Sequence, residues 1–257
     1  MTTSRVPVGD YELAVEITGS GSPAVVFVPG IGDTSRESFE PTQTELGFQS
    51  TVVNYARPGI GDSAALPNAA PRTYGTAAAE LQGLLTAAGV ERPYVLVGHA
   101  VGALICQVYA MRWPAETAGL VLVDASDPRL FLEIGEPRLV VGDGDGEGSV
   151  PFDVSAGAEE LEWGRHPSIP TAAATSRVGR WLDAGNAHMW LPFTLPELDS
   201  RWQHHQRALA RRLDALQMVA DQGGHYVQRD QPQLVAKAIQ LVVDAVRAGS
   251  PRVYGCT

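Results

Sequence analysis

Cysteine, lysine and long apolar runs are scarce in this sequence of 257 residues. The two cysteines, Cys106 and Cys256, cannot form a disulfide framework, and we predict that Cys106 is a small core residue of an apolar helix. No run approaches the ~20 apolar residues that a membrane-spanning helix needs. The first residues lack the apolar segment of a secretory signal, so the expected location is the cytoplasm.

Basic residues are also few relative to acidic ones. The formal net charge is −10, and Lys237 is the single lysine among 19 basic residues. Because phosphate binding requires concentrated lysine or arginine, and no basic cluster is present, we do not expect nucleic acid to be a partner. The sequence leaves the oligomeric state open.

Apolar residues make up 44% of the chain, which suits one large α/β domain with a core and a small insertion. Residues 11–18 alternate partially, as an edge antiparallel strand does. Short apolar runs typical of strands in a parallel sheet follow at 24–28, 51–55, 94–97 and 120–123, and more weakly at 170–175 and 216–220. Helical patterns occupy 76–88, 101–112 and 233–247. This alternation predicts a doubly wound, mostly parallel sheet.

Residues 127–169 interrupt the alternation of strands and helices. We therefore predict a core formed by 1–126 and 170–257, with 127–169 as an insertion and candidate lid over the active site. Within it, Asp143-x-Asp145-x-Glu147 superficially resembles a calcium loop. The position where an EF-hand requires a carboxylate is Val154, so a flexible, solvated loop is the expected structure.

The stretch 94–103 combines an apolar strand, a tight Gly-x-Ala-x-Gly turn and the start of an apolar helix. Further along the chain, Gly223-Gly-His225-Tyr follows the last predicted strand. The strand 24–28 leads into 29–34 (Pro-Gly-Ile-Gly-Asp-Thr), and the strand 51–55 leads into 57–63 (Arg-Pro-Gly-Ile-Gly-Asp-Ser). In order and spacing these motifs resemble the α/β-hydrolase superfamily, specifically its compact, esterase-like bacterial branch. The resemblance covers essentially the whole chain except 127–169.

The resemblance implies a nucleophile, an acid and a histidine, in that order along the chain. In this superfamily the strand, tight turn and helix of 94–103 would form the nucleophile elbow. The residue at its centre, the nucleophile position, is Ala100, whose methyl group cannot attack a substrate. His225 is the candidate general base. Asp124, at the carboxyl end of a predicted strand, is the favoured orienting acid, with Asp183 and Asp127 as alternatives.

Acyl transfer also needs donors for the developing oxyanion, and the resemblance places them at the backbone amides of Ile31 and Val101. His99, beside the nucleophile position, is expected to pack rather than react.

Aromatic residues near the elbow and in the 181–198 stretch are candidates for a substrate pocket, with a loop that packs on the lid as the equal alternative for 181–198. They are His99, Trp181, Trp190, Phe193 and Tyr226. The histidines His188, His204 and His205 lack metal-ligand spacing and are expected at the surface or in a pocket. No cofactor or metal pattern is present.

Ala100 has two interpretations. One is a serine-type hydrolase of an apolar ester, thioester or lactone, silenced by the loss of its nucleophile. The other is a natural alanine in a small-molecule-binding protein, or in a catalyst that uses His225 as a base without a covalent intermediate, for elimination or cyclisation. We favour the silenced hydrolase because the candidate base, acid and oxyanion loop all remain.

Overall fold

The computed structural model describes residues 3–47, 49–66, 68–127, 129–130, 140–144, 148–183 and 193–254. Within these ranges, eight strands form one sheet in the order β1-β2-β4-β3-β5-β6-β9-β10. The strands are β1 (Ser4–Val8), β2 (Tyr11–Thr18), β3 (Ala24–Val28), β4 (Val52–Tyr55), β5 (Tyr94–His99), β6 (Thr117–Val123), β9 (Thr171–Thr175) and β10 (Leu216–Val219). A separate two-stranded sheet pairs β7 (Val140–Val141) with β8 (Phe152–Asp153).

The six strands from β4 to β10 in this order are parallel, and β1 and β2 are antiparallel at one side. This confirms the predicted α/β class with a doubly wound, mostly parallel sheet. The position of residues 11–18 was predicted wrongly, because β2 pairs with β1 as well as with β4 and is therefore not the edge strand. The missed strand, Ser4–Val8, is mostly exposed and lacks a clear apolar pattern.

Seven helices are described besides a short 3-10 turn at Arg180–Asp183. They are α1 (Ser35–Thr44), α2 (Tyr74–Ala87), α3 (Val101–Arg112), α4 (Val154–Trp163), α5 (Leu195–Arg212), α6 (Val227–Asp230) and α7 (Pro232–Arg247). The sequence predicts α2, α3 and α7 to within two residues at each end. It does not reveal α5, whose first turn is fixed by a capping box between Thr194 and Glu197.

Helices cover both faces of the sheet, and the central strands β3 and β5 are accordingly buried at every position. Val26 belongs to a core shared with α2 and α3, whereas its neighbour Val25 belongs to a second core shared with α1 and α7. This alternation follows from the opposite directions of successive side chains in a strand. All side chains of α3 through Ala110 are buried, Cys106 among them, as expected for a central helix.

The described part of the predicted insertion, residues 127–169, consists of β7, β8, α4 and adjoining segments. The prediction of a solvated loop around Asp143 is wrong, since this side chain is completely buried between Arg57 and Arg72. A carboxylate can be buried in this way because both arginines supply charge and hydrogen bonds. Asp145 and Glu147 lie outside the described residues.

Candidate active site

The turn between β5 and α3 holds Ala100 in an unusual backbone conformation, with φ 50° and ψ −116°. A positive φ is costly for any residue with a Cβ, by about 1–3 kcal/mol, and persists only where the surroundings impose it. The close packing of strand and helix around the turn, which Gly98 and Gly102 permit, accommodates it here. A Cβ on Gly98 would overlap the backbone of α3, and one on Gly102 would overlap the carbonyl of Val28. The methyl group of Ala100 is thereby held at the carboxyl edge of the sheet.

His225 and Asp124 form a hydrogen-bonded pair close to this turn. His225 Nδ1 lies 2.8 Å from Asp124 Oδ2, although the residues are 101 positions apart in the chain. Asp124 follows β6 directly, with φ 40°, and is fully buried, while about a third of the His225 side chain is exposed. A carboxylate at Nδ1 places the proton on that nitrogen and leaves Nε2 available to accept one.

The other oxygen of Asp124 is also held by donors. Asp124 Oδ1 accepts hydrogen bonds from the Ser176 backbone N–H at 2.9 Å and from Trp202 Nε1 at 3.0 Å. Arg180 Nε lies 3.5 Å from Oδ2. Burial alone would raise the pKa of Asp124, but the hydrogen bond to His225 and the nearby charges outweigh it and lower the pKa below its ordinary value. The carboxylate is therefore ionised at neutral pH.

Neither alternative acid contacts His225. Asp183 is largely exposed and pairs with Arg177. Asp127 is bound by Arg129 and by His205 Nδ1, which lies 3.0 Å from Asp127 Oδ2. Of the three candidates, the structure brings Asp124 to the histidine.

The remaining histidines of the sequence analysis lie apart from this pair. His205 is mostly buried, His204 packs beside it, and His188 lies outside the described residues.

His99 is buried beneath His225 and does not share its hydrogen bond with Asp124. Its Nε2 lies 2.9 Å from the backbone carbonyl of His225, and its ring is 4.6 Å from that of His225 and 5.0 Å from Tyr226. Burial lowers the pKa of His99 to about 3, with the charge of His225 acting in the same direction. The ring is therefore neutral, and because a carbonyl only accepts, Nε2 carries the proton.

The loop after β3 contains the candidate oxyanion donor Ile31. Arg57 fixes the loop by donating to the carbonyl of Pro29 at 2.8 Å and to that of Gly30 at 2.5 Å. The second candidate donor is the amide of Val101, the first residue of α3, where helical N–H groups have no partner within the helix. Both residues line the same cavity as Ala100 and His225.

This cavity has a volume of about 290 Å³ and a largely apolar wall. Besides Ile31, Ala100, Val101 and His225, its lining comprises Tyr74, His99, Ser126, Val141, Phe152, Val154 and Tyr226. Val141, Phe152 and Val154 come from the predicted insertion, residues 127–169, and contribute to this wall. The site combines a His–Asp pair, a strained elbow and an apolar chamber whose volume is close to the lower end of those typical of small-molecule sites.

Two predicted pocket residues lie elsewhere. Trp181 packs with Trp202 in a separate apolar cluster, and Phe193 lies against that cluster. Neither is among the residues that line the cavity, whereas His99 and Tyr226 are. Trp190 lies outside the described residues.

Sequence reasoning missed Trp202, which binds Asp124, and Arg180, whose guanidinium stacks on the rings of Trp181 and Trp202 at 4.2 Å from each centroid. No local motif marks either residue. An amphipathic pattern in 195–212 would have placed Trp202 on a buried helical face, and this was the available signal.

Comparison with known proteins agrees with this architecture. A fold with a parallel sheet, a nucleophile-elbow turn and a His–Asp pair defines the class of α/β-hydrolase-like proteins. A family model described as the alpha/beta hydrolase family matches residues 25–238, and the chain belongs to this family.

Sequence relatives match about two fifths of the chain. A Bacillus subtilis protein, YqjL, is 36% identical over 106 residues, covering 41% of each sequence. RutD of Escherichia coli O127:H6, named as a candidate carbamate hydrolase, is 38% identical over 105 residues, covering 40% of this chain and 38% of its own length. The chain thus spans about two fifths of the length of these relatives.

Solved structures share the fold over nearly the whole chain. An esterase from Thermogutta terrifontis superposes with a TM-score of 0.63 at 20% identity, covering 96% of this chain and 99% of its own. The proline iminopeptidase-related protein of Thermus thermophilus gives a TM-score of 0.63 at 23% identity, covering 95% and 98%.

Metal clusters and membrane spans are both absent from the described residues. These residues contain no group of three or more His, Cys, Asp or Glu side chains arranged to hold a metal ion. Within the same part of the chain, no helix has both the length and the apolar character of a membrane span.

Proposed function

We propose that this chain has the active site of a serine-type hydrolase for an ester, thioester or lactone, and that Ala100 silences it. The carrying observation is the backbone of Ala100. An alanine gains nothing from φ 50° and ψ −116°, yet the turn holds its Cβ in the cavity that also contains His225. Such a strained turn is useful where a side chain must be presented to a substrate.

Serine at position 100 would complete a nucleophilic mechanism. His225 Nε2 would take the proton of the serine hydroxyl as its oxygen attacks the acyl carbon, and Asp124 would stabilise the resulting imidazolium. The imidazolium then gives its proton to the leaving alcohol or thiol. Water, deprotonated by His225, then attacks the acyl-serine; the serine oxygen takes the proton back and the carboxylic acid is released. The amides of Ile31 and Val101 would stabilise the oxyanion in both steps.

The composition of the cavity wall supports an apolar acyl group. The cavity wall consists mainly of aliphatic and aromatic side chains, among them Tyr74, Phe152, Val141 and Val154. Burial of such a group against this wall is worth roughly 25 cal/mol per Å² of apolar surface. With Ala100 the chain keeps the chamber and the base but lacks the atom that attacks, so we expect it to bind substrate without turnover.

A second candidate rests on the completeness of the His225–Asp124 pair. A histidine with a buried, ionised partner can act as a general base on water or on a substrate proton without any nucleophile at position 100. In that case the chain with Ala100 is the active form, and a hydroxyl at position 100 adds nothing.

Activity of the chain and of Ala100→Ser separates the two candidates. The assay is a panel of chromogenic esters, thioesters and lactones, measured for each protein with and without His225→Ala. We expect Ala100→Ser to raise kcat/KM by roughly 10³-fold or more and His225→Ala to abolish that gain. Ala100→Gly, which adds no nucleophile, is the matched control for changes in the turn.

A different result would establish the non-covalent base. The unmodified chain would be active, would lose that activity with His225→Ala and would gain nothing from Ala100→Ser. If neither protein turns over any substrate, equilibrium binding of the same compounds distinguishes a binding protein, whose affinity should survive His225→Ala.

A further inference from the structure

We propose that Asp143, in the insertion, positions the candidate oxyanion loop by acting on it directly and through Arg57. This inference rests on the proposed function, since it assigns a role to the loop residues 29–32. Asp143 is a positioning residue in this proposal, because its carboxylate touches the loop and Arg57 and does not line the cavity.

The contacts form a continuous path from the insertion to the loop. Asp143 binds Arg57 with both oxygens, at 2.6 Å to Nε and 2.6 Å to Nη2. Arg57 in turn donates to the carbonyls of Pro29 and Gly30. Asp143 Oδ1 also accepts the backbone N–H of Gly32 at 3.1 Å.

These bonds hold the loop on both sides of Ile31. The carbonyls of Pro29 and Gly30, before Ile31, and the N–H of Gly32, after it, each have a hydrogen-bond partner. Among the described residues, no backbone partner is found for the Ile31 N–H. A donor kept free and held in a fixed direction is what stabilisation of an oxyanion requires. These contacts therefore leave the Ile31 N–H, which the proposed mechanism uses as an oxyanion donor, available to the substrate.

Because Asp143 and Arg57 are buried, the contacts between them depend on both side chains being charged. Asp143 is 0% and Arg57 1% exposed. Burial alone would raise the pKa of Asp143, but the charge and hydrogen bonds of Arg57 outweigh it and hold the pKa below the ordinary value. A bidentate pair between a guanidinium and a carboxylate has a fixed planar geometry, which an amide cannot reproduce.

The chain contains a matched control for this proposal in Glu80. Glu80 belongs to the same group of charges, since it accepts a hydrogen bond from Arg72, which also binds Asp143. In the described structure the Glu80 side chain has no hydrogen bond to residues 29–32. Glu80→Gln therefore changes an acid to its amide within the network without touching the loop.

The first test uses hydrogen exchange in the chain with Ala100, followed by mass spectrometry of peptides covering 29–34. We expect Asp143→Asn to increase the exchange rate of this segment at least tenfold relative to Glu80→Gln, at equal distance from the unfolding transition. Equal exchange in the two variants would overturn the proposal. Should Asp143→Asn fail to fold, Arg57→Lys, which keeps the charge and loses the planar fork, replaces it.

The second test adds Ala100→Ser to each variant. With an active Ala100→Ser protein, we expect Asp143→Asn to lower kcat at least tenfold with KM within twofold, and Glu80→Gln to leave both constants near the parent values. An unchanged kcat would overturn the positioning role. An inactive Ala100→Ser protein would count against the proposed function alone, and hydrogen exchange would still decide the role of Asp143.

Discussion

Trp202 donates its indole N–H to Asp124 Oδ1, while His225 binds the other oxygen of the same carboxylate. The indole comes from α5, and Trp202 lies 78 residues after Asp124 in the chain. The carboxylate is thus fixed by a helix on one side and oriented toward the imidazole on the other. Removal of the indole N–H would leave a buried acceptor with one donor fewer.

Trp202→Phe is expected to destabilise the fold by about 1–3 kcal/mol, because a buried charged acceptor loses a hydrogen bond and the ring becomes smaller. In the Ala100→Ser protein it should also lower kcat about tenfold, since Asp124 is held less firmly. Urea unfolding and steady-state kinetics measure the two effects. Trp113→Phe, which changes a ring that packs on Tyr109, is the control and should leave kcat unchanged.

Asp124→Asn in the Ala100→Ser protein should lower kcat by roughly 10³-fold or more, because the amide no longer stabilises the imidazolium or selects the correct tautomer. Asp127→Asn should lower kcat far less, since its carboxylate binds His205 rather than His225. A larger loss for Asp127→Asn would identify Asp127 as the acid and contradict the observed pairing.

Ala100→Gly tests the strain at the elbow. Release of the positive φ gains about 1–3 kcal/mol, and this is offset by the greater flexibility of glycine in the unfolded chain, about 0.5–1 kcal/mol. We therefore expect Ala100→Gly to be neutral or stabilising. Ala103→Gly, at a buried position inside α3, should destabilise by at least about 1 kcal/mol. Equal losses in urea unfolding would show that the turn is unstrained.

His99 should contribute to acid sensitivity. Its pKa is lowered to about 3 in the fold, so below the ordinary value of about 6.5 the unfolded chain binds a proton that the folded chain does not. Stability is therefore lost as the pH falls from about 6.5 to about 3, by roughly 5 kcal/mol from this residue. His99→Gln should flatten the curve of unfolding free energy against pH over that range. A curve of unchanged slope would contradict the prediction.

Local sequence patterns predicted the parts of the site that depend on adjacent residues. The spacing of Gly98, Ala100 and Gly102 is enough to identify the elbow, and the place of His225 after the last strand identifies the candidate base. Asp124 could be favoured from its position at the end of an apolar strand, but Asp183 and Asp127 could be set aside only with the side-chain contacts.

Contacts between distant segments were not predictable in this way. The stretch around Asp143 is rich in glycine and acid, which is typical of a solvated loop. Its arginine partners, Arg57 and Arg72, lie 86 and 71 residues away. The role of Trp202 was not predictable for the same reason, since it depends on where α5 packs rather than on the residues adjacent to Trp202 in the sequence.

The two glycines of the elbow have a consequence for how chemistry could change on this scaffold. Because the missing side chains at Gly98 and Gly102 let the strand and helix pack closely, the demand for a small residue falls on positions 98 and 102 rather than on position 100. A hydroxyl, a thiol or a methyl group could occupy the same point above the sheet with the rest of the fold unaltered. The type of reaction is then a property of one side chain, separate from the architecture that surrounds it.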